Sequence, residues 1–239
     1  MQFRNFLLSA LRPDDAAVLT PHLREVSLSR GQVVFEPGKP VDSIYFPSNA
    51  CLSLTAVMED GKLVETNTVG RESAAGLLDA VSGELSATRG VAQIGGVAMV
   101  LPAAIYRNRM RDSGSLLRLT LLHLRASARQ VETAVACNVA HSADSRLARW
   151  LLMTEDRTGN AAFPLTQEYM AVMTGVQRTT VSQLAAALKK AKVIDYSRGR
   201  VVVLDRPALE RHACECYAQM EAQFEALRSD EADPKRATA

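Results

Sequence analysis

The sequence predicts an α+β chain: an N-terminal antiparallel β-roll of jelly-roll type, one long helix, and a C-terminal helical unit closed by a β-hairpin. Three observations carry that expectation. Short strand-like runs broken by glycine, proline and asparagine fill residues 26–101, an apolar period of four and three follows over 113–140, and a basic window with two short helical patterns occupies 164–206. At 239 residues the chain is long enough for two modest domains, each burying its own core.

Two short helical stretches, 6–11 and 14–22, precede the sheet. Strand candidates lie at 31–35, 43–46, 51–57, 63–69, 90–94 and 97–101, separated by turn residues at 36–40, 47–49, 59–61, Gly70 and Gly95-Gly96. Short strands at this spacing pair with their neighbours as an antiparallel sandwich or roll. From 113 to 140 there is no proline and, beyond Gly114, no glycine, while Leu117, Leu121, Leu124, Ala128, Val131 and Val135 recur at helical steps. They form a coiled-coil-like seam on a helix of roughly 40 Å, at about 1.5 Å per residue. The alternative is an amphipathic helix packed only on its own domain. Leu116, Leu119 and Leu122 lie off the seam, so one side is available to the β-unit and the other to a second protomer.

A further helix at 144–154, capped by Ser142 or Asp144, stops at Arg157-Thr-Gly-Asn160, and a last helix is expected over 208–227. The resulting division is a β-domain at 1–112, a dimerisation helix at 113–141, a helical unit at 142–228 and a flexible charged tail at 229–239.

Residues 165–191 read as two helices joined by a tight turn. Thr166 caps the first, whose core face carries Met170 with Val172 or Met173; Gly175 supplies the positive φ that ends it, and Val176 plugs the gap between the helices. Val181, Leu184 and Leu188 face inward on the second helix. The face opposite holds Gln177, Arg178, Thr179, Ser182 and Gln183, a helix-turn-helix pattern in which such positions meet base edges in the major groove. Arginine donates twice to guanine and glutamine pairs bidentately with adenine. Strands at 193–196 and 200–204 with a turn at 197–199 then form a wing carrying Arg198 and Arg200, placed for phosphate contacts. Thr166, Gln167 and Thr180 complete the candidate contact set.

Overall charge is weak support, at +2 with a pI near 8.4, but its distribution is informative. Between 164 and 206 the cations Arg178, Lys189, Lys190, Lys192, Arg198, Arg200 and Arg206 face only Glu168, Asp195 and Asp205. The N-terminal apolar run is shorter than a signal-peptide core and no stretch reaches bilayer length, so a cytoplasmic protein without membrane contact is expected. Cys51, Cys137, Cys214 and Cys216 lack CxxC pairing, and a disulfide framework is not expected. On a continuous last helix Cys214 points away from His212 and Cys216, leaving too few ligands on one face for closed zinc coordination; no metal is expected. His22, His123 and His141 are isolated, so haem is not expected either. No nucleophile–base pair, metal motif or phosphate loop points to an enzyme.

On these residues the chain resembles the Crp/Fnr superfamily of bacterial regulators over roughly residues 15–210. The matching parts are the 31–38 segment Gly-Gln-Val-Val-Phe-Glu-Pro-Gly, the strand at 44–46, the long helix, the 144–149 segment Asp-Ser-Arg-Leu-Ala-Arg, and the 174–182 segment Thr-Gly-Val-Gln-Arg-Thr-Thr-Val-Ser. The resemblance implies a cyclic-nucleotide-binding-like β-roll, a homodimer on a near-palindromic duplex operator, Arg178 as guanine reader with Thr179 and Gln183 beside it, and RNA polymerase as a further partner. Family members commonly have glutamate where Thr179 stands and often arginine at Gln183, so the resemblance does not fix the operator sequence. Members that bind cyclic AMP carry Gly-Glu followed by Arg-Ser-Ala, a guanidinium and backbone donors for an anionic phosphate. Here Gly70, Arg71, Glu72, Ser86 and Arg89 are the candidate effector pocket, and Leu85 falls where that arginine belongs. The dimer helix also lacks a Thr-Ser pair near Val131-Glu-Thr133. Cyclic AMP control and a bound cofactor are not expected, which leaves another anion, an apolar metabolite or no effector. The competing class is a signalling module whose winged helix binds protein, distinguished by weak dependence of binding on salt.

Overall fold

The structure, a computed structural model, describes residues 3–230. Helix α1 (Phe6–Ser9) is capped by the buried Asn5, whose Oδ1 accepts from the Leu7 and Leu8 amides while its Nδ2 donates to the carbonyls of Pro47 and Ser73. Helix α2 (Pro13–Leu19) starts on a proline and runs into a 3₁₀ turn at Thr20–His22. The roll then comprises β1 (Arg24–Leu28), β2 (Val33–Phe35), β3 (Ser43–Pro47), β4 (Cys51–Val57), β5 (Leu63–Val69), α3 (Leu77–Ser82), β6 (Arg89–Ile94) and β7 (Gly96–Pro102).

Two antiparallel sheets form, ordered β1-β7-β3 and β2-β6-β4-β5. Leu28 and Ala98 of one sheet meet Phe35, Leu52, Val69 and Ala92 of the other in a shared core, as alternating inward residues of a sandwich must. The chain crosses between sheets at Gly95, where a Cβ would come within 2.9 Å of the Leu28 carbonyl. All six expected strands are present. β1 was not among them, because its run Arg-Glu-Val-Ser-Leu is largely solvated and buries fully only Leu28. Helices α3 and α4 (Ala103–Asp112) were also not anticipated; α4 is charge-rich and fully buries only Ala103 and Tyr106.

Ser113 caps the 27-residue α5 (Gly114–Ala140) by accepting from the Leu116 amide. Leu116, Thr120, His123 and Gln130 are buried. Thr120 shares a 2.8 Å hydrogen bond with the Tyr106 hydroxyl, and Gln130 donates to Asn67 Oδ1 at 2.6 Å, fixing α5 to α4 and β5.

The C-terminal unit follows as α6 (Ala143–Thr158), β8 (Ala162–Pro164), α7 (Gln167–Thr174), α8 (Arg178–Lys190), β9 (Ile194–Ser197), β10 (Arg200–Val203), α9 (Arg206–His212) and α10 (Cys216–Asp230). Leu147, Leu151, Phe163, Met170, Val181, Leu188, Val201 and Leu209 make its core, which also takes in Cys51 and Ile94 from the roll. The continuous last helix expected over 208–227 is corrected: Ala213 leaves α9 with extended backbone (ψ 153°), and a new helix starts at Cys216. The break lets α10 fold back along α5, where Phe224 meets Leu122 and Ala126. Of the expected tail, 231–239 lies outside the described residues, and α10 continues through Asp230.

Candidate nucleic-acid interface

Helix α7 begins at Thr166, whose Oγ1 accepts from the Tyr169 amide, and ends at Gly175, which takes φ +67°. That left-handed turn is open to glycine at no steric strain and redirects the chain into α8 within three residues. Val181, Ala185 and Leu188 bury one face of α8; Met170 is fully buried and Met173 packs on the same core, while Val172 faces outward. The requirement to bury this stripe sets the rotation of α8. Gln177, Arg178, Thr179 and Gln183 are consequently exposed on its first two turns, with Thr180 and Ser182 half-buried beside them.

The wing forms as expected, and β8 adds a third strand in the order β8-β10-β9. Arg198 (φ +48°) and Gly199 (φ +72°) are the two central residues of the hairpin turn, both in the left-handed conformation that matches strand twist. Arg198 and Arg200 are exposed at its tip. Lys189 is held instead by Asp195, 2.7 Å away, and its hydrogen bond keeps that carboxyl below its ordinary pKa. Exposed Lys190 and Lys192 leave the same end of α8 cationic.

Not every candidate contact is free. Thr166 Oγ1 accepts from the Arg30 guanidinium at 3.3 Å, and Arg30 lies 5.0 Å over the Tyr169 ring, so a loop of the roll touches the start of α7. Gln167 is half-buried. No local sequence signal could have placed Arg30 there, since 136 residues separate it from Thr166.

The long helix divides its surfaces as its two apolar stripes require. Leu117, Leu121 and Val135 are exposed by 43%, 57% and 61%, Ala128 is exposed, and Leu124 and Val131 are half-buried. The stripe is thus exposed at Leu117, Leu121, Ala128 and Val135 and partly covered between them, while the opposite face is buried on the same chain.

The five residues expected to line an effector pocket each have a neighbour within the chain. Glu72 is buried and forms a 2.8 Å ion pair with Arg157 of α6, and Gly70 leaves the room that Arg157 occupies. Arg71 lies over the Phe6 ring, Arg89 pairs with Glu36 at 2.9 Å, and Ser86 donates to Asp79. Gly70 and Glu72 therefore belong to the joint between roll and C-terminal unit. Leu85 is exposed.

The cysteines also require correction. The expectation that Cys214 points away from its neighbours presumed an unbroken helix; with the chain extended at Ala213, Cys214 and Cys216 both turn toward Cys137 of α5 and His141 just past its end. His212 is not part of this cluster. His123 is buried with Nε2 2.8 Å from Ser73 Oγ, a structural contact between α5 and the roll.

A three-helix core with a basic β-wing, joined by a long helix to an antiparallel roll, defines a winged helix-turn-helix protein with an attached β-roll domain. Residues 145–212 match the family described as the Crp-like helix-turn-helix domain. The chain is 23% identical over 216 residues to the global nitrogen regulator of Synechococcus elongatus, covering 87% of this chain and 96% of that protein. Its fold is similar to that of a CRP-family transcriptional regulator from Thermus thermophilus (TM-score 0.66, 22% identity, covering 79% of this chain and 96% of that one). It is likewise similar to FixK2 from Bradyrhizobium japonicum (TM-score 0.69, 15% identity, covering 80% and 98%). The chain thus has the fold and the helix-turn-helix of the Crp/Fnr regulators. Among the described residues no helix is long and apolar enough to cross a membrane.

Proposed function

We propose that this protein is a homodimeric, sequence-specific transcription regulator that reads a near-palindromic duplex through α8 and positions itself through the wing. The observation that carries this reading is the exposed polar start of α8, Gln177, Arg178, Thr179 and Gln183, with Arg198 and Arg200 beside it. The uncovered stripe Leu117–Leu121–Val135 supports pairing of two copies along α5, which would present two reading helices to half-sites about one helical turn apart. RNA polymerase is the further partner such a regulator would engage. In the same reading cyclic AMP is not the input, supported by Leu85 in place of an arginine and by the ion pairs of Glu72 with Arg157 and of Arg89 with Glu36 within the chain.

Selection of genomic fragments by the purified protein, followed by mobility-shift titration of the recovered sites, tests this function. Arg178→Ala is expected to weaken binding to the selected site by roughly 5- to 150-fold, the equivalent of about 1–3 kcal/mol for a bidentate guanine contact. Unchanged specific binding would refute Arg178 as reader. Calorimetric titration with cyclic AMP is expected to give no binding heat, and a saturable isotherm would overturn that part of the reading.

A further inference from the structure

Four metal-ligating side chains converge where α5 ends and α10 begins. Cys137 stands in the last turn of α5 and His141 just past its end, while Cys214 lies in the break between α9 and α10 and Cys216 opens α10. Their ligand atoms all lie within 4.8 Å of one another. Cys137 Sγ is 3.5 Å from Cys214 Sγ, and His141 Nδ1 is 3.7 Å from Cys216 Sγ. A tetrahedron with metal–sulfur bonds of about 2.3 Å has edges of roughly 3.8 Å, so these separations are those of ligands around one ion. They leave no room for a multi-iron cluster.

Two further features point to a metal. His141 turns its other nitrogen, Nε2, to the Glu215 carboxylate at 3.1 Å, which fixes the ring with Nδ1 facing the thiols. Carboxylate–histidine pairs of this kind orient metal-bound imidazoles. The buried Arg149 acts electrostatically on Cys137, and among the described residues it forms no ion pair; its Nη1 contacts only the sulfurs of Met153 and Met220. Three thiolates and a divalent ion carry one net negative charge, for which this guanidinium, acting also on Glu65, is a nearby counter-charge.

We propose that Cys137, His141, Cys214 and Cys216 form a closed four-coordinate site for a single zinc ion. Three soft thiolates with one imidazole in a tetrahedral cage favour zinc over hard cations. The ion would fasten the end of the dimer helix to the start of α10, bracketing the Ser142 joint from which the DNA-reading unit departs. Metal binding thereby sets how firmly that unit is held relative to α5.

The test uses the full chain, purified under reducing conditions without added metal. Elemental analysis is expected to find one zinc per protomer, and cobalt exchange to give sulfur-to-metal charge-transfer bands with the intense visible bands of a tetrahedral ion. Cys137→Ser and Cys216→Ser should each weaken the charge-transfer bands, while Glu215→Gln should retain the spectrum and lower metal affinity roughly 10- to 100-fold. Chelation should lower the thermal midpoint of the wild-type chain and leave that of a triple Cys→Ser variant unmoved. Absence of both zinc and cobalt bands in the reduced wild-type protein would overturn the site. So would a Cys137–Cys214 disulfide trapped by alkylation in cells without bound metal, or equal cobalt affinity in the triple variant. None of these measurements involves DNA, so their failure is distinct from failure of the proposed regulatory function.

Discussion

Replacing Glu72 by alanine would leave the Arg157 guanidinium enclosed at the joint without its counter-charge. The two side chains are 10% and 5% exposed and meet at 2.8 Å, and Glu72 Oε1 also accepts from the Gly70 amide at 3.1 Å. At an effective dielectric near 20 the gross attraction at that distance is about 6 kcal/mol. Desolvation offsets much of this in the intact pair, but removal of one partner from a buried pair costs about 3–5 kcal/mol because the survivor stays desolvated. For a chain of this size that lowers the thermal midpoint by roughly 10 °C. Differential scanning calorimetry of Glu72→Ala, Arg157→Met and the double variant Glu72→Leu/Arg157→Met measures it. The double variant should recover most of the loss, since neither charge remains. A midpoint for Glu72→Ala within a degree of wild type, or strictly additive losses in the double variant, would refute the pair as the tie between roll and C-terminal unit.

Arg198→Ala should weaken binding to all duplexes alike and reduce the slope of log affinity against log salt by about one, measured by fluorescence anisotropy across a salt series. Leu121→Glu, which places a charge on the exposed seam without touching the core, should shift the protein to monomer in light scattering while the circular dichroism spectrum is retained. Burial pulls the pKa of His123 down from 6.5 to about 4. The unfolded chain therefore takes up a proton first as pH falls, so wild type should lose up to about 3 kcal/mol between pH 6.5 and 4, at about 1.4 kcal/mol per pH unit. Desolvation pushes Glu65 up to about 7 and works in the opposite sense over part of this window, so the measured quantity is the difference between the denaturation profiles of wild type and His123→Gln. Parallel profiles would refute the His123 contribution.

The helix-turn-helix, the wing and the long helix were legible in the sequence because each is encoded locally. Gly175 and Gly199 mark positive φ, Thr166 and Ser113 mark helix starts, and the steps of Val181–Leu184–Leu188 fix which face of α8 turns inward. Six strands of the roll were legible for the same reason, since hydrophobic runs end at turn residues whether or not the rest of the chain is known. The solvated β1 and the charge-rich α4 were not, because their weak apolar signal becomes structure only against β7 and α5.

Contacts between distant segments had no sequence signature. Glu72 meets Arg157 across 85 residues, Arg30 meets Thr166 across 136, and Cys137 meets Cys214 across 77. Each depends on how whole elements pack, and the thiol–imidazole cluster depends further on one extended residue, Ala213, within what periodicity reads as a single helix. The sequence by itself determined which residues of α8 face outward, because burial of one helical stripe dictates the exposure of the other. Only tertiary structure decided that Gly70 and Glu72 lie at the joint between roll and C-terminal unit, and that three thiols and an imidazole converge at the end of α5.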